Sequence, residues 1–234
     1  MIKEESKHFK NLYVMGKDDI EKFANNLAIS FQGYPLFEYF SNDKYNVGKM
    51  RFFWKVSLRM CLKKSLCLAD SEDVKGVAIF SEGTQKDSLL DYIKSGGLFL
   101  IPKLGIKSTK KMMKFEKFAN NIKDKYANDN CWYLYAFTVL PECRKAGIGS
   151  KILRKVFKYF DENKKDCYLE TLTAENVKIY QHYGFDLVET DTVPNTNLTM
   201  YAMYRKHKEI KQENSLSNEV IQKENNETNK EITL

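Results

Sequence analysis

Residues 144–150, RKAGIGS, combine two cations, two glycines and a hydroxyl group in one short stretch. The stretch follows an apolar run that predicts a strand and precedes a pattern that predicts a helix. A helix start leaves several backbone N–H groups unpaired and carries the positive end of the helix dipole, so it can bind an anion. Gly147 and Gly149 lack the Cβ atoms that would hold a ligand away from this backbone, and Arg144 and Lys145 add positive charge. The loop therefore predicts a site for a phosphate-rich ligand.

Two well-known phosphate loops do not fit these residues. The Walker A loop requires G-x-x-x-x-G-K-[ST], and the dinucleotide fingerprint requires a third glycine three residues after Gly149, where Ile152 stands. A lone G-x-G can also be no more than a tight turn between a strand and a helix. The loop alone leaves both interpretations open.

A second motif favours the interpretation of the loop as a ligand-binding site. V-x-P-x-x-R-x-x-G-I-G-S over residues 139–150 is followed by N-x-x-x-Y-x-x-x-G-F over residues 176–185. In order and spacing, the two motifs resemble the GNAT superfamily of acyl-CoA-dependent N-acetyltransferases, over about residues 131–205. The resemblance implies an α/β (α+β) fold with a mixed, mostly antiparallel sheet flanked by helices, and acetyl-CoA as the bound phosphate-rich ligand. It implies cofactor contacts at Phe137, Thr138, Val139, Arg144, Lys145, Ala146, Gly147, Ile148, Gly149, Ser150 and Asn176.

Two residues take catalytic roles if the resemblance is carried over. Tyr180 matches a tyrosine that often protonates the departing thiolate, and Glu170 matches a carboxylate that acts in some members as a base, through water. Tyr180 could instead be a packed aromatic, and Glu170 could be a structural or solvent-facing residue of a strand. His182 is a conceivable base, although a lone histidine on such a helix is more often a surface or packing residue. Direct attack in a ternary complex needs no catalytic cysteine.

Within the superfamily, these motifs look most like the group that includes puromycin N-acetyltransferase, although the N-terminal half matches only loosely. The acceptor pocket predicted from this half and from the central strand is aromatic. Its candidate residues are Tyr34, Phe37, Trp132 and Tyr135. Alternating aromatics in a central strand are core residues more often than not, so that interpretation stays open. The acceptor, predicted to be a small primary amine, is not identified further.

The remaining pattern predicts the elements that position these residues. Strands are predicted at 11–15, 65–69, 76–80, 132–139, 167–172, 185–190 and 198–204. Helices are predicted at 18–31, 36–40, 48–63 and 175–182, from the glycine loop to Asp161, and over 87–128 with breaks near Gly96, Gly97 and Pro102. Lysines cover much of the last part of the 87–128 region, including Lys110, Lys111, Lys114, Lys117 and Lys123. A solvated lysine face is the interpretation we favour over a helix that binds nucleic acid or a membrane.

Composition limits the class of protein and its domain organisation. The chain has 234 residues, of which 43% are hydrophobic, and a formal net charge of +7, so it predicts a globular protein with a polyanionic ligand. The last 28 residues contain four lysines and six glutamates and no aromatic residue, which predicts a catalytic domain at 1–206 and a disordered polar tail at 207–234. The charge also fits a nucleic-acid-binding module, and the loop fits a catalytically silent acyl-CoA sensor.

The five cysteines form no C-x-x-C pair, so neither a zinc site nor a disulfide framework is predicted, and they are interpreted as reduced thiols. The first ten residues do not resemble a signal peptide, and no apolar run is long enough to span a membrane. We therefore expect a cytoplasmic enzyme, monomeric or homodimeric, with no membrane or nucleic-acid partner.

Overall fold

The computed structural model describes residues 6–62, 64–85 and 88–209. Its helices are α1 Ile20–Ser30, α2 Pro35–Ser41, α3 Val47–Cys61, α4 Leu89–Lys94, α5 Leu100–Leu104, α6 Ile106–Tyr126, α7 Ile148–Glu162 and α8 Ala174–His182. Its strands are β1 Tyr13–Val14, β2 Ser65–Ala69, β3 Gly76–Glu82, β4 Cys131–Val139, β5 Asp166–Thr171, β6 Asp186–Thr192 and β7 Thr199–Arg205. Short 3₁₀ turns lie at Lys7–Phe9, Lys17–Asp19, Gly97–Phe99 and Pro141–Cys143.

The strands form one sheet in the order β1-β2-β3-β4-β5-β7-β6. β4 and β5 run parallel to each other, and all the other neighbouring strands in the described sheet are antiparallel. The prediction of a mixed, mostly antiparallel sheet flanked by helices is confirmed. Each predicted strand is present, with ends that differ by no more than a few residues.

The parallel pair separates soon after it begins. β4 and β5 are paired at Cys131↔Asp166, Trp132↔Cys167 and Tyr133↔Tyr168, and no further pairs follow between them. β4 continues to Val139 while it stays paired with β3 on its other side. The gap that opens between β4 and β5 therefore exposes the backbone of β4 on one edge.

A β-bulge at Tyr135 changes the face of the sheet to which β4 points its side chains. Ile79 pairs with Ala136 and Phe80 pairs with Leu134, which leaves Tyr135 as the extra residue. Leu134 consequently packs in one hydrophobic core and Ala136 in the core on the opposite face. A bulge inserts one residue and shifts the alternation of side chains by one step.

The helices cover both faces of this sheet. α7 packs on one face through the apolar positions that its sequence pattern predicts, Ile152, Leu153, Val156, Phe157 and Phe160, all of which are buried. The opposite face is covered by α1 and α3, which bury Phe23, Leu27 and Trp54. The loop before α7 and the open edge of β4 are thus held between two packed layers.

Two details of the 87–128 region differ from the prediction. Pro102 does not interrupt a helix, because it is the third residue of α5, where a backbone N–H has no helical acceptor in any case. The break falls instead at Gly105, which has a φ of +90°. In addition, Lys123 is not part of a solvated face, since it is only 7% exposed.

The C-terminal end of the described chain is attached to the sheet. The backbone N–H of His207 and its Nδ1 both lie within 2.9 Å of Asp166 Oδ1, and the backbone N–H of Lys208 donates to Asp161 Oδ1. The rest of the predicted tail, residues 210–234, lies outside the described residues. Within the described ranges, none of the helices has the length and apolar character that a membrane span requires.

Candidate active site

The loop before α7 turns twice through the left-handed region of the backbone. Lys145 has a φ of +65° and Gly147 a φ of +77°. α7 then begins at Ile148 without a side-chain cap, and Lys151 N–H donates to Gly147 O. The first N–H groups of α7 are therefore available to an anion, as the sequence predicts for a helix start of this kind.

The two glycines serve different purposes. A Cβ on Gly149 would lie 2.8 Å from Phe137 Cζ, so only glycine lets α7 approach β4 this closely. A Cβ on Gly147 would meet no atom within 4 Å, so its positive φ, rather than packing, explains the glycine. The space beside Gly147 is open to a ligand.

This open space is part of a cavity of about 230 Å³ at the start of α7. Most of the residues predicted to contact the cofactor line it: Phe137, Val139, Arg144, Lys145, Gly147, Ile148, Gly149 and Ser150. Three lining residues were not predicted, namely Cys143, Ile179 and Tyr183. Ile179 carried a signal that was missed, since it is an apolar residue on the exposed side of a helix, 49% exposed in the structure.

The other three predicted cofactor residues do not line this cavity. The Thr138 hydroxyl donates to Asn26 Oδ1 at 2.8 Å, on the opposite face of the sheet. The Asn176 amide donates to Thr171 Oγ1 at 3.0 Å. Ala146 belongs to the loop but does not line the cavity. Side-chain contacts with a ligand in this cavity are thus not available to Thr138.

The arginine of the motif is occupied by main-chain groups. Arg144 donates to Val139 O at 3.4 Å and to Ser30 O, at the end of α1, at 3.2 Å. A cation at a helix C-terminus is favourable, so Arg144 also fixes the loop to α1. A further cation, Arg154, donates to Ser150 Oγ at 2.9 Å and lies one helical turn after it. Its spacing of four residues from Ser150 on a predicted helix was a usable signal.

The backbone of β4 offers a donor at the open edge. Leu140 N–H donates to Lys75 O on the β3 side. Because N–H groups alternate along an extended strand, the N–H of Val139 points to the opposite side, toward the gap between β4 and β5. A carbonyl group placed in this gap could accept a hydrogen bond from Val139.

Glu170 lies on β5, where the gap opens. Burial raises the pKa of its carboxyl group to about 7, and the hydroxyls of Tyr133 and Tyr168 and the charge of Lys123 limit the increase. Glu170 Oε1 is inaccessible and lacks a hydrogen-bond partner among the described residues, as does the Tyr168 hydroxyl. A buried polar atom without a partner costs free energy, which makes Glu170 a candidate for a functional role.

Lys123 contributes the positive charge of this cluster. It is buried on α6, and its Nζ lies 4.9 Å from the centroid of the Tyr133 ring. Its charge lowers the pKa of Glu170. The sequence pattern missed Lys123 because a lysine in a lysine-rich helix gives no local sign of burial.

Tyr180 lies on α8 and is 9% exposed. Its ring packs against Phe185 at a centroid distance of 5.7 Å. Burial, and next the neighbouring Tyr34, raise its pKa above the ordinary value of a tyrosine, so the hydroxyl keeps its proton at neutral pH. Within the described ranges, this hydroxyl makes no hydrogen bond to the protein. Tyr180 therefore carries a proton that no acceptor among the described residues binds.

Tyr34 connects the two candidate catalytic residues. Its hydroxyl accepts from Leu172 N–H at 2.8 Å and lies 3.2 Å from Thr171 Oγ1, at the end of β5. Burial raises the pKa of Tyr34, and the charge of Glu170 contributes to the increase. Tyr34 is thus near enough to both Glu170 and Tyr180 to interact electrostatically with each of them, and it is one of the predicted acceptor residues.

The other predicted acceptor residues lie on two different faces of the sheet. Trp132 packs on the α7 side of the sheet, where it stacks on Phe160, so it is a core residue and does not share a face with Tyr34. Phe37 is 5% exposed within an aromatic cluster that includes Trp54. Tyr135 is 38% exposed, and its ring is 6.1 Å from that of Trp54. Trp132 is therefore excluded from the acceptor pocket, whereas Tyr135 remains accessible.

A second cavity, of about 410 Å³, lies between α2, α6 and the connection from β6 to β7. Its lining includes Glu38, Tyr39, Lys111 and Asn197. Lys111 donates to Tyr39 O at 2.7 Å and lies over the Tyr39 ring. This cavity is mixed in charge and does not by itself select one ligand.

The remaining candidate residues for catalysis or metal binding are His182 and the cysteines. His182 is exposed and contacts Tyr183, so it is a surface residue. Each of the five cysteines lies in the described ranges, and none of them forms a disulfide bond. In the part of the chain that the structure describes, no group of three potential metal ligands comes together.

Comparison with known proteins identifies the class of this fold. Residues 116–187 match the model of the acetyltransferase (GNAT) domain. The fold is the GNAT fold, with a mixed, mostly antiparallel sheet of seven strands, and together with the domain match it supports an acyltransferase that uses an acyl-CoA. The puromycin N-acetyltransferase group receives no support from these comparisons.

Three solved structures illustrate the similarity. One is described as histone acetyltransferase HPA2 and related acetyltransferase from Corynebacterium glutamicum, with 15% identity, 86% of this chain and 97% of that chain covered, and a TM-score of 0.57. Another is arylalkylamine N-acetyltransferase 2 from Aedes aegypti, with 14% identity, coverage of 84% and 98%, and a TM-score of 0.56.

The third is the ribosomal-protein-S18-alanine N-acetyltransferase from Escherichia coli, with 10% identity, coverage of 87% and 96%, and a TM-score of 0.51. At these identities the likeness extends to the fold alone. No curated protein sequence matches this chain.

Proposed function

We propose that the protein is an N-acetyltransferase that uses acetyl-CoA and acetylates the primary amine of a small molecule by direct attack in a ternary complex. The observation that carries the proposal is the half-buried Glu170 beside the gap between β4 and β5, with Oε1 inaccessible to solvent and a carboxyl pKa raised to about 7. A base must be partly ionised at the working pH to accept a proton, and this pKa meets that need.

The donor side of the proposal rests on the loop before α7. Acetyl-CoA would supply the acetyl group as a thioester, and the N–H groups at the start of α7 would bind its pyrophosphate. Arg154, held against Ser150, adds a cation near this position. The Val139 N–H would donate to the thioester carbonyl oxygen and stabilise the negative charge that develops there.

The acceptor side uses the residues on the other side of the gap. Glu170 would accept a proton from the acceptor ammonium group, directly or through water, and leave a neutral amine that can attack. Tyr180 would give its proton to the departing sulfur, and the proton that the acetylated nitrogen loses as the amide forms would return to Tyr180 through solvent. Burial of Tyr180 keeps that proton in place until the sulfur acquires charge.

Two measurements test this function. Isothermal titration with acetyl-CoA should give saturable binding, whereas titration with duplex DNA should not, because the described basic residues form no recognised nucleic-acid motif. Coenzyme A release should then be followed over a panel of small amines. Tight acetyl-CoA binding with no release from any amine would instead support a catalytically silent acyl-CoA sensor.

A matched pair of variants links the panel to the site. Glu170→Gln should lower turnover with the best amine while acetyl-CoA binding is kept, since Glu170 lies apart from the cavity at the start of α7. Glu162→Gln, an exposed position at the end of α7, serves as the control. A cytoplasmic location and a monomeric or homodimeric state belong to the same proposal.

A further inference from the structure

An exposed apolar surface lies on the segment between β3 and β4. Twelve large hydrophobic side chains of the described residues are exposed, and eight of them lie between Leu89 and Met113, so they are concentrated in one segment of the chain. These eight are Leu89, Leu90, Ile93, Leu98, Phe99, Ile101, Ile106 and Met113, each between 40% and 72% exposed. We call these eight residues, together with the exposed lysines Lys94, Lys103, Lys107, Lys110 and Lys114, the apolar-basic surface.

The apolar residues point outward because other side chains of the same segment are buried against the protein and hold it in place. Leu100 and Leu104 of α5 are buried, at 6% and 7% exposed. The segment is held further by Arg59, which donates to Ser95 O at 3.4 Å, and by Gly97, which packs closely against the Tyr92 ring. Its apolar side chains are thus presented by a fixed scaffold.

α6 extends the same surface. Ile106, Lys110 and Met113 follow a spacing of four and three residues, which places them on one side of a helix. The other side of α6 packs inward through Met112 and Phe115. Ile106 and Met113 are accordingly left without protein contacts that would cover them, at 59% and 64% exposed.

The charge between these apolar residues has one sign. Residues 88–114 contain six lysines and a single acidic residue, Asp91. Asp91 is paired with Lys64, and this contact lowers its pKa to about 2. Five of the lysines are exposed: Lys94, Lys103, Lys107, Lys110 and Lys114. None of these five forms an ion pair with another described residue.

We propose that the apolar-basic surface docks the protein on the surface of an anionic lipid bilayer. Exposed Leu, Ile and Phe interleaved with Lys is the combination that binds at the boundary between headgroups and acyl chains, where the apolar side chains insert and the lysines meet anionic headgroups. A second copy of the chain is disfavoured as the partner, because it would bring lysines against lysines. The protein would lie on the membrane without crossing it.

This inference departs from the expectation that the protein has no membrane partner. It goes beyond the proposed acetyl transfer and does not rest on it. None of the residues of the apolar-basic surface lines the cavity at the start of α7 or belongs to the cluster around Glu170. Acetyl transfer to a soluble amine, measured without lipid, should therefore be unaffected by changes in this surface.

Co-sedimentation of the full chain with vesicles tests the proposal. The protein should sediment with vesicles of phosphatidylcholine and phosphatidylserine, and much less with phosphatidylcholine alone. The double variant Lys103→Glu with Lys107→Glu should bind the anionic vesicles at least about 25-fold more weakly, since each basic residue near such a surface contributes roughly fivefold. Phe99→Ser with Ile101→Ser should lose at least about tenfold, because the inserted apolar area is removed.

A matched control uses an exposed lysine and an exposed leucine from other parts of the chain. Lys49→Glu with Leu187→Ser should sediment like the wild type. Circular dichroism melting should show that all three double variants are folded. The proposal would be overturned if the wild type did not bind anionic vesicles or bound both vesicle types equally. It would also be overturned if both surface variants bound as tightly as the wild type. A concentration-dependent dimer that only the surface variants abolish would assign the surface to self-association instead.

Discussion

The Tyr34 hydroxyl accepts a hydrogen bond of 2.8 Å from the backbone N–H of Leu172, and this bond ties the start of α2 to the end of β5. The two residues are 138 positions apart in the chain. The bond holds the start of α2 against the end of the strand that carries Glu170. Its removal should affect both stability and the use of the acceptor.

Tyr34→Phe should lower the free energy of unfolding by about 1–3 kcal/mol, because the Leu172 N–H is left buried without its acceptor. Urea denaturation measures this change. Tyr39→Phe is the control, since the Tyr39 hydroxyl makes no hydrogen bond to the described protein. Equal stability of the two variants would show that the Tyr34 bond contributes nothing.

Glu170→Gln should become more stable than the wild type as the pH rises. The pKa of Glu170 is raised from 4.5 in the unfolded chain to about 7 in the fold. Below pH 4.5 the group is protonated in both states, and between 4.5 and 7 ionisation favours the unfolded state, so wild-type stability is lost over this range. The difference between variant and wild type should increase by up to about 3 kcal/mol by pH 8.

Urea denaturation at several pH values measures this difference. A stability difference that is constant from pH 4 to pH 8 would mean that the carboxyl group is not destabilised by burial. If Glu170 is also the base, the loss of turnover in Glu170→Gln should be partly recovered at high pH, where more of the acceptor amine is already neutral.

Lys123→Met should raise the pKa of Glu170 further, because the positive charge that lowers it is removed. The acidic limb of the pH–rate profile should therefore move to higher pH, with little change at the plateau. The same profile for Lys117→Met, an exposed lysine on the same helix, should match the wild type. If the acidic limb of the pH–rate profile of Lys123→Met lies at the same pH as that of the wild type, an electrostatic role for Lys123 is excluded.

Tyr180→Phe should lower kcat by about 10²- to 10⁴-fold while the affinity for acetyl-CoA stays the same, since the ring and its contact with Phe185 are kept. Stopped-time assays of coenzyme A release measure kcat, and titration measures affinity. Tyr201→Phe, on β7, is the control. Wild-type turnover in Tyr180→Phe across the pH range would leave Tyr180 as a packing residue.

Gly147→Asp should weaken acetyl-CoA binding by at least about 2 kcal/mol, through charge repulsion and through the loss of the positive φ that glycine adopts easily. Titration calorimetry measures this loss. Gly105→Asp is a close control, because Gly105 also has a positive φ and open space around its Cβ position, but lies outside the cavity. Equal affinities in the two variants would remove the loop from the cofactor site.

The sequence by itself determined the order of the elements, the buried side of α7 and the glycine loop before it. Each of these depends on local rules: a helix buries every third or fourth residue, and Gly147 is the residue that tolerates the turn at the start of α7. The fold class followed because the two motifs occur in a fixed order and spacing.

Only the tertiary structure decided what the site residues contact. Trp132 lies in the core on the α7 side of the sheet, and the bulge at Tyr135 shifts the alternation of the β4 side chains that follow it. Arg144 bonds to Ser30, which is 114 positions away in the chain, and Lys123 turns inward to the Tyr133 ring because α6 packs against the sheet. Local patterns carry no information about such meetings, since burial of a lysine or a missing partner for Glu170 depends on which elements pack together.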